Sequence, residues 1–210
     1  MQNLQTLLDL MTKGRGLHIS ILDLSGILNT PDTEIAFANV IHSRQFCDIA
    51  KSTEKGYHAC LRCKMLANTK ATVQKEPFSG HCFFGLYEAA MPLMINGTAA
   101  AVVYVGNAVL DREKTDLRIE KACRHTGVNP RELYAQTELC EHLDRADELL
   151  DIAEIVCDYL RMLDEKAPKG SVRYHWLVAA LKRHADEAYC TNLVLKDLAF
   201  LYHKNEKYMG

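Results

Sequence analysis

The apolar positions along this chain change period several times, and each change marks an element. Leu4, Leu7, Leu8 and Met11 recur at helical spacing and predict a short amphipathic helix over residues 3–12, ended by Gly14 and Gly16. Leu17, Ile19 and Ile21 then alternate with His18, Ser20 and Leu22, the period of a strand. Asp23-Leu24-Ser25-Gly26 has turn chemistry and Ile27-Leu28-Asn29 looks like a return strand, so a hairpin is expected here. Residues 34–76 read as mainly helical, with a break near Thr53–Gly56. Strands follow at Cys82–Glu88, Ala90–Ile95 and Ala99–Val105. Asn96-Gly97 between the last two predicts a tight hairpin, because both residues tolerate positive φ, and Gly106-Asn107 is expected to stop the last strand. Residues 112–164 return to helix, broken at Gly127-Val128-Asn129-Pro130, where Asn129 suits an N-cap and Pro130 a first helical position.

From Glu138 to Leu163 the apolar residues Leu139, Ala146, Leu149, Ala153, Val156, Leu160 and Leu163 fall at three- and four-residue steps, broken by His142. Such a stripe fits a homodimer seam. It fits equally a helix lying on the protein's own core. Ala167-Pro168-Lys169-Gly170-Ser171 is the clearest linker. Beyond it basic residues outnumber acidic ones, as in a DNA-binding module on an acidic sensor, although a solvated helix face gives similar counts. The organisation expected is therefore a sensory unit over 1–137, a helical stem over 138–166, a linker over 167–171 and a second unit over 172–210.

With 48% hydrophobic and 25% charged residues and a formal net charge of -2 over 210 residues, the composition is that of a soluble globular protein, and any nucleic-acid surface must be local. No apolar run is long enough to span a bilayer, and no basic flank followed by an apolar stretch marks a signal peptide. These features predict a cytoplasmic protein without a membrane partner. In that compartment eight cysteines are not read as four disulfides. Cys123, Cys140, Cys157 and Cys190 are scattered over helical stretches. Cys47, Cys60, Cys63 and Cys82 are grouped, with a C-x2-C pair at their centre. Four sulfur ligands suit zinc, or less readily an iron–sulfur cluster. A reversible disulfide, most naturally Cys60–Cys63, and reduced thiols lining a pocket are the other two readings. A nucleophilic Cys82 or Cys60 with His81 or His58 as base is the least favoured, because each pair diverges on its strand or helix. No catalytic residue is therefore assigned, and the chain is not read as an enzyme.

The segment Phe46-Cys47, Cys60-Leu61-Arg62-Cys63, His81-Cys82-Phe83-Phe84-Gly85-Leu86-Tyr87-Glu88-Ala89-Ala90-Met91-Pro92-Leu93, Asn96-Gly97 and Val105-Gly106-Asn107-Ala108-Val109-Leu110 resembles the PocR sensory domain. The resemblance covers about residues 3–165. It implies an α+β sensor with a PAS- or GAF-like antiparallel sheet and flanking helices, binding a small organic effector of the alcohol or diol class. The ligand-site candidates are then Phe46, His81, Phe83, Glu88, Met91 and Tyr104. Tyr87 and Glu88 are adjacent on a strand and cannot both face one pocket. Glu88 is preferred, since a carboxylate suits a hydroxyl or an amine; an exposed strand position is the alternative for Glu88, and plain core packing is the favoured reading for Tyr104 and Phe83.

Tyr174–Ala188 and the run Leu193–Gly210 resemble the first half of an AraC/XylS-type DNA-binding domain. Leu195, Leu198 and Ala199 would be the buried face of a first helix. Asn205 would cap the recognition helix, with Lys204, Asn205 and Lys207 as DNA-contact candidates. The recognition helix breaks off at Gly210 and the family's second helix-turn-helix is absent from this sequence, so weak operator binding at most is expected. Together these resemblances imply the sensory portion of a bacterial AraC-family regulator, incomplete in its all-α tail. A metal- or redox-responsive regulator working through the four grouped cysteines is the alternative.

Overall fold

The computed structural model describes residues 3–166, 176–188, 194–202 and 204–209; the expected linker and Cys190 lie outside them. Along the chain the elements are α1 (Leu4–Thr12), β1 (His18–Asp23), α2 (Phe37–Val40), α3 (Gln45–Ala50), α4 (Glu54–Gln74), β2 (Phe78–His81), β3 (Tyr87–Ile95) and β4 (Thr98–Val109). They continue with α5 (Arg112–Thr126), α6 (Pro130–Thr137), β5 (Glu141–His142), α7 (Asp147–Lys166), α8 (Trp176–Ala188), α9 (Leu195–Leu201) and α10 (Glu206–Met209). The class is α+β, with an open sheet and flanking helices.

The sheet is ordered β1-β4-β3-β2, each neighbour antiparallel, and β5 adds a two-residue parallel pairing at the far end of β4. The near-continuous apolar run of β4 explains its central place: every residue from Ala100 to Val109 is buried, which requires cover on both faces. One face carries Leu17, Ile19, Ile21, Ala89, Leu93, Val103 and Val105 and is covered by α1 and α7. The other is crossed by α4, with α9 packed on α4 in turn. A second apolar cluster gathers Phe46, Phe84, Leu86, Val109, Ile119 and Leu133 from α3, α5, α6 and the end of β4.

Local signals held at most boundaries. Asn3 caps α1 by accepting from the Thr6 amide. Thr53 caps α4, which is why the helical stretch breaks there. Gly127 ends α5 in the left-handed conformation, and Asn129 with Pro130 starts α6. Asn96 and Gly97 both take positive φ between β3 and β4.

Three expectations are corrected. The hairpin at 23–29 does not form, because the Asp23 carboxylate accepts from the amides of Ser25, Gly26, Ile27 and Leu28 at 2.7–3.1 Å and curls the chain under itself. Ile27 and Leu28 drop into the core, and β1 pairs with β4 instead. Strand boundaries also shift: Cys82–Leu86 is a turn, and β4 runs past Gly106-Asn107 to Val109. Finally, the helix expected from Glu138 begins only at Asp147, leaving Leu139 exposed and His142 in β5. The stripe residues Leu149, Ala153, Val156, Leu160 and Leu163 lie in the same cluster as Leu93 and Val103, so α7 packs on its own sheet.

Burial raises the pKa of Asp23 against the pull of its four amides. A folded-state value above the unfolded one means that Asp23 contributes most in acid and loses that contribution as pH climbs through the raised value. Asp23→Ala should cost about 2 kcal/mol or more in urea denaturation at pH 7, because buried amides lose their acceptor. Asp23→Asn keeps an acceptor without the charge and should stay closer to wild type. Equal losses in the two variants would show that the curl is held by packing alone.

Candidate functional site

The face of the sheet under α4 is divided. Register places Ser20 opposite Tyr104, Tyr104 opposite Ala90 and His18 opposite Gly106, and directly paired residues share a face. Glu88, two residues before Ala90, joins them. The half of this face towards His18, Ser20, Tyr104 and Glu88 is polar, although covered by protein. Tyr87 packs against the cluster on the opposite face.

A β-bulge makes the space for Glu88. Tyr87 pairs with Ala108 but Ala89 pairs with Val105, so β4 carries one extra residue at Gly106-Asn107. Asn107 takes φ of 65°, and its amide donates to the Gly16 carbonyl. A Cβ on Gly106 would stand 3.1 Å from Glu88 Cβ and 3.3 Å from its Cγ, so a side chain there would push the carboxylate aside.

Lys64 of α4 supplies the countercharge. Its Nζ is 3.3 Å from Glu88 Oε2 and 3.0 Å from the centre of the Tyr104 ring, and the two charged side chains are only 18% and 15% exposed. The Tyr104 hydroxyl donates to Asn68 Oδ1, also on α4. Burial pushes that phenol up, so it stays a donor. His42 Nδ1 is 3.5 Å from Glu88 Oε2, and its ring stacks on His18 at 5.1 Å. Burial holds His18 down at about 4 and, together with Lys64, holds His42 well below its ordinary value. Both rings are therefore neutral near pH 7, and Lys64 is the positive partner of Glu88. Two buried polar atoms in this group have no hydrogen-bond partner among the described residues: Ser20 Oγ and His42 Nε2. Such atoms are costly unless something bonds to them.

The charge of the same carboxylate acts on all four grouped cysteines. Cys60 and Cys63 come from α4, Cys47 from α3 and Cys82 from the turn after β2. Burial pushes each thiol up, Cys47 to about 12, and the charge of Glu88 adds to the shift in all four, as neighbouring cysteines do for Cys47, Cys60 and Cys82. All are free, and thiols held protonated are poor nucleophiles. Among the described residues no three His, Cys, Asp or Glu side chains already have the geometry to hold a metal.

Of the ligand-site candidates, Glu88 and Tyr104 come together. Phe46 is buried beside Cys47 in the second cluster. Met91 packs on the opposite face, towards α7. Phe83 is 37% exposed in the turn, against Phe84 and His125. His81 turns its ring edge to Tyr87 and pairs with the Gly85 carbonyl at 2.8 Å. In the tail, Lys204 and Lys207 are exposed and Asn205 accepts from the Lys207 amide, capping α10. Lys64, Asn68, His42 and Ser20 were not identified from the sequence. Only Ser20 carried a signal there, as a polar position alternating within a strand.

The Glu88–Lys64 pair should behave as a unit. Glu88→Gln should cost about 2 kcal/mol because it leaves a covered ammonium without its charge partner. Lys64→Met added to it should restore part of that loss. Urea denaturation of the two single variants and the double variant checks this, and strictly additive losses would mean that the charges do not interact.

A family model described as "Sensory domain found in PocR" matches residues 1–167. Searches of curated proteins and of solved structures gave no match. The family model spans well over half of the chain, and the protein belongs to the PocR sensory-domain family.

Proposed function

We propose that this chain is the sensory portion of a bacterial AraC-type transcription regulator. Its effector is a small molecule bearing hydroxyl groups, held at the polar half of the sheet face. The observation that carries this reading is the pair of unsatisfied buried atoms, Ser20 Oγ and His42 Nε2, beside the Glu88–Lys64 pair. A diol offers both donors and acceptors. One hydroxyl can donate to Glu88 or to the neutral His42 ring while another accepts from Lys64 or Ser20. Sheet and helix side chains fix the orientation, as sensory pockets require. The sequence likeness of the tail to the start of an AraC-type domain, and the Asn205 cap, support the DNA-controlling role. Among the described residues no helix is long and apolar enough to cross a membrane.

A thermal-shift series with ethanol, 1,2-propanediol and 1,3-propanediol tests the effector class. A ligand at about 100 times its Kd should add about 2.7 kcal/mol to stability. Ser20→Ala and Glu88→Gln should each weaken that gain without abolishing folding. A stabilisation that both variants keep in full would place the ligand elsewhere, and no stabilisation by any of the three would remove this effector class.

Four buried or half-buried thiols that all feel the charge of Glu88 favour a second reading, a metal- or redox-responsive regulator using Cys47, Cys60, Cys63 and Cys82. Zinc would have to displace protons from thiols held in the protonated form, so its affinity should rise steeply with pH. Elemental analysis of protein purified with and without chelator checks it: less than about 0.1 metal per chain with all four thiols titratable rules out a resident metal.

A further inference from the structure

The apolar half of the divided sheet face is covered by the chain's own C-terminal helices. Leu22 of β1, Ala90 of β3, Val102 and Tyr104 of β4 and Ala71 of α4 form one cluster with Leu177 of α8, Leu198 of α9 and Tyr202 just beyond it. All eight are 9% exposed or less. Polar contacts fix the orientation. The Tyr57 hydroxyl on α4 donates to Asp197 Oδ2 at 3.1 Å, and Asp197 is itself buried. Burial and Asp197 push the Tyr57 phenol up to about 12, so it stays a donor. On the other side the Phe37 and His184 rings meet edge to face at 5.2 Å, and His184 reaches the Tyr202 hydroxyl at 3.4 Å.

We propose that this half of the sheet is a docking surface for the tail helices α8 and α9, and that docking occupies Leu198, a residue that a helix-turn-helix would bury inside itself. The face such a unit would bury is Leu195, Leu198 and Ala199 by sequence. In the docked arrangement Leu198 lies in the cluster with the sheet, Ala199 is buried next to the turn into α10, where its carbonyl accepts from the Lys204 amide, and Leu195 is 38% exposed. α9 touches α4 and α10 at once, so the α9–α10 pair is kept, and what a docked tail withholds from a DNA-reading unit is the Leu198 side chain. Tyr104 ties the surface to the polar half. Its hydroxyl and ring are engaged by Asn68 and Lys64, and the same side chain belongs to the cluster under α8 and α9. Any change in the Glu88–Lys64 pair therefore alters the floor on which the tail sits. This link rests on the effector site proposed above, whereas the docking itself does not.

Hydrogen exchange on the full chain, without ligand, tests both parts. Tyr57→Phe removes only the bond to Asp197, and should speed exchange of the α9 amides about tenfold while leaving β1 and β4 amides unchanged. Unchanged α9 exchange in this variant, or α9 amides that exchange as an unprotected peptide in the wild type, overturns the docking. A protease site placed within 167–171 gives a second measurement. After cleavage the tail should co-elute with the sensor in gel filtration, and it should separate when Leu198→Asp is present. A wild-type tail that separates at once also overturns it. Glu88→Gln tests the link: faster α9 exchange supports it, and unchanged exchange breaks it while the docking stands. If Tyr57→Phe frees α9 but no diol stabilises the protein, the docking survives and the effector reading fails.

Discussion

A carboxylate covered by protein must find a charge partner and hydrogen bonds, and the middle of this molecule is arranged around that demand at Glu88. The bulge at Gly106-Asn107 gives its stem room. Lys64 reaches from α4 to its oxygens and lies over the Tyr104 ring, and Asn68 one turn further takes the Tyr104 hydroxyl. Because α4 contributes both contacts, the helix is held to the sheet by polar bonds at this point as well as by its small residues Ala67 and Ala71. The Glu88–Lys64 pair adds little net stability when weighed against apolar substitutes. A polar pair in the middle of a sheet is what the effector site proposed above would use.

The sheet also shows how one architecture separates two tasks. Its face towards α1 and α7 is uniformly apolar and serves stability. Its other face is polar in one half and apolar in the other. The polar half leaves two buried atoms unsatisfied, and the apolar half receives the tail. The helices α5 and α6 close the end of β4 without entering either half.

Much of the scaffold was legible in the sequence because its signals are local. The Asn129 cap, the break near Thr53, the Asn96-Gly97 turn and the Tyr87/Glu88 division each depend on a few adjacent residues. What was missed depends on distant ones. Leu149, Val156 and Leu160 recur as they would at a dimer seam, and periodicity does not say whether the covering surface is a second chain or the same one. Asp23 looked like an ordinary turn residue, yet its four accepted bonds replace a hairpin with a curl. Lys64 sits in a helix with no clear apolar stripe, and His42 lies in a connection. Neither position reveals that it closes on Glu88, because that meeting is set by how α4 and the α2–α3 segment lie across the strands.

Tyr104 takes part in both halves of the divided face. A residue with two duties is hard to alter for one of them alone. Under the effector reading proposed above, retuning of effector preference by mutation or design should therefore succeed more readily at Ser20 or His42, which lie on the polar half. Under the same reading, changes at Tyr104 should instead alter selectivity and the seating of the tail together.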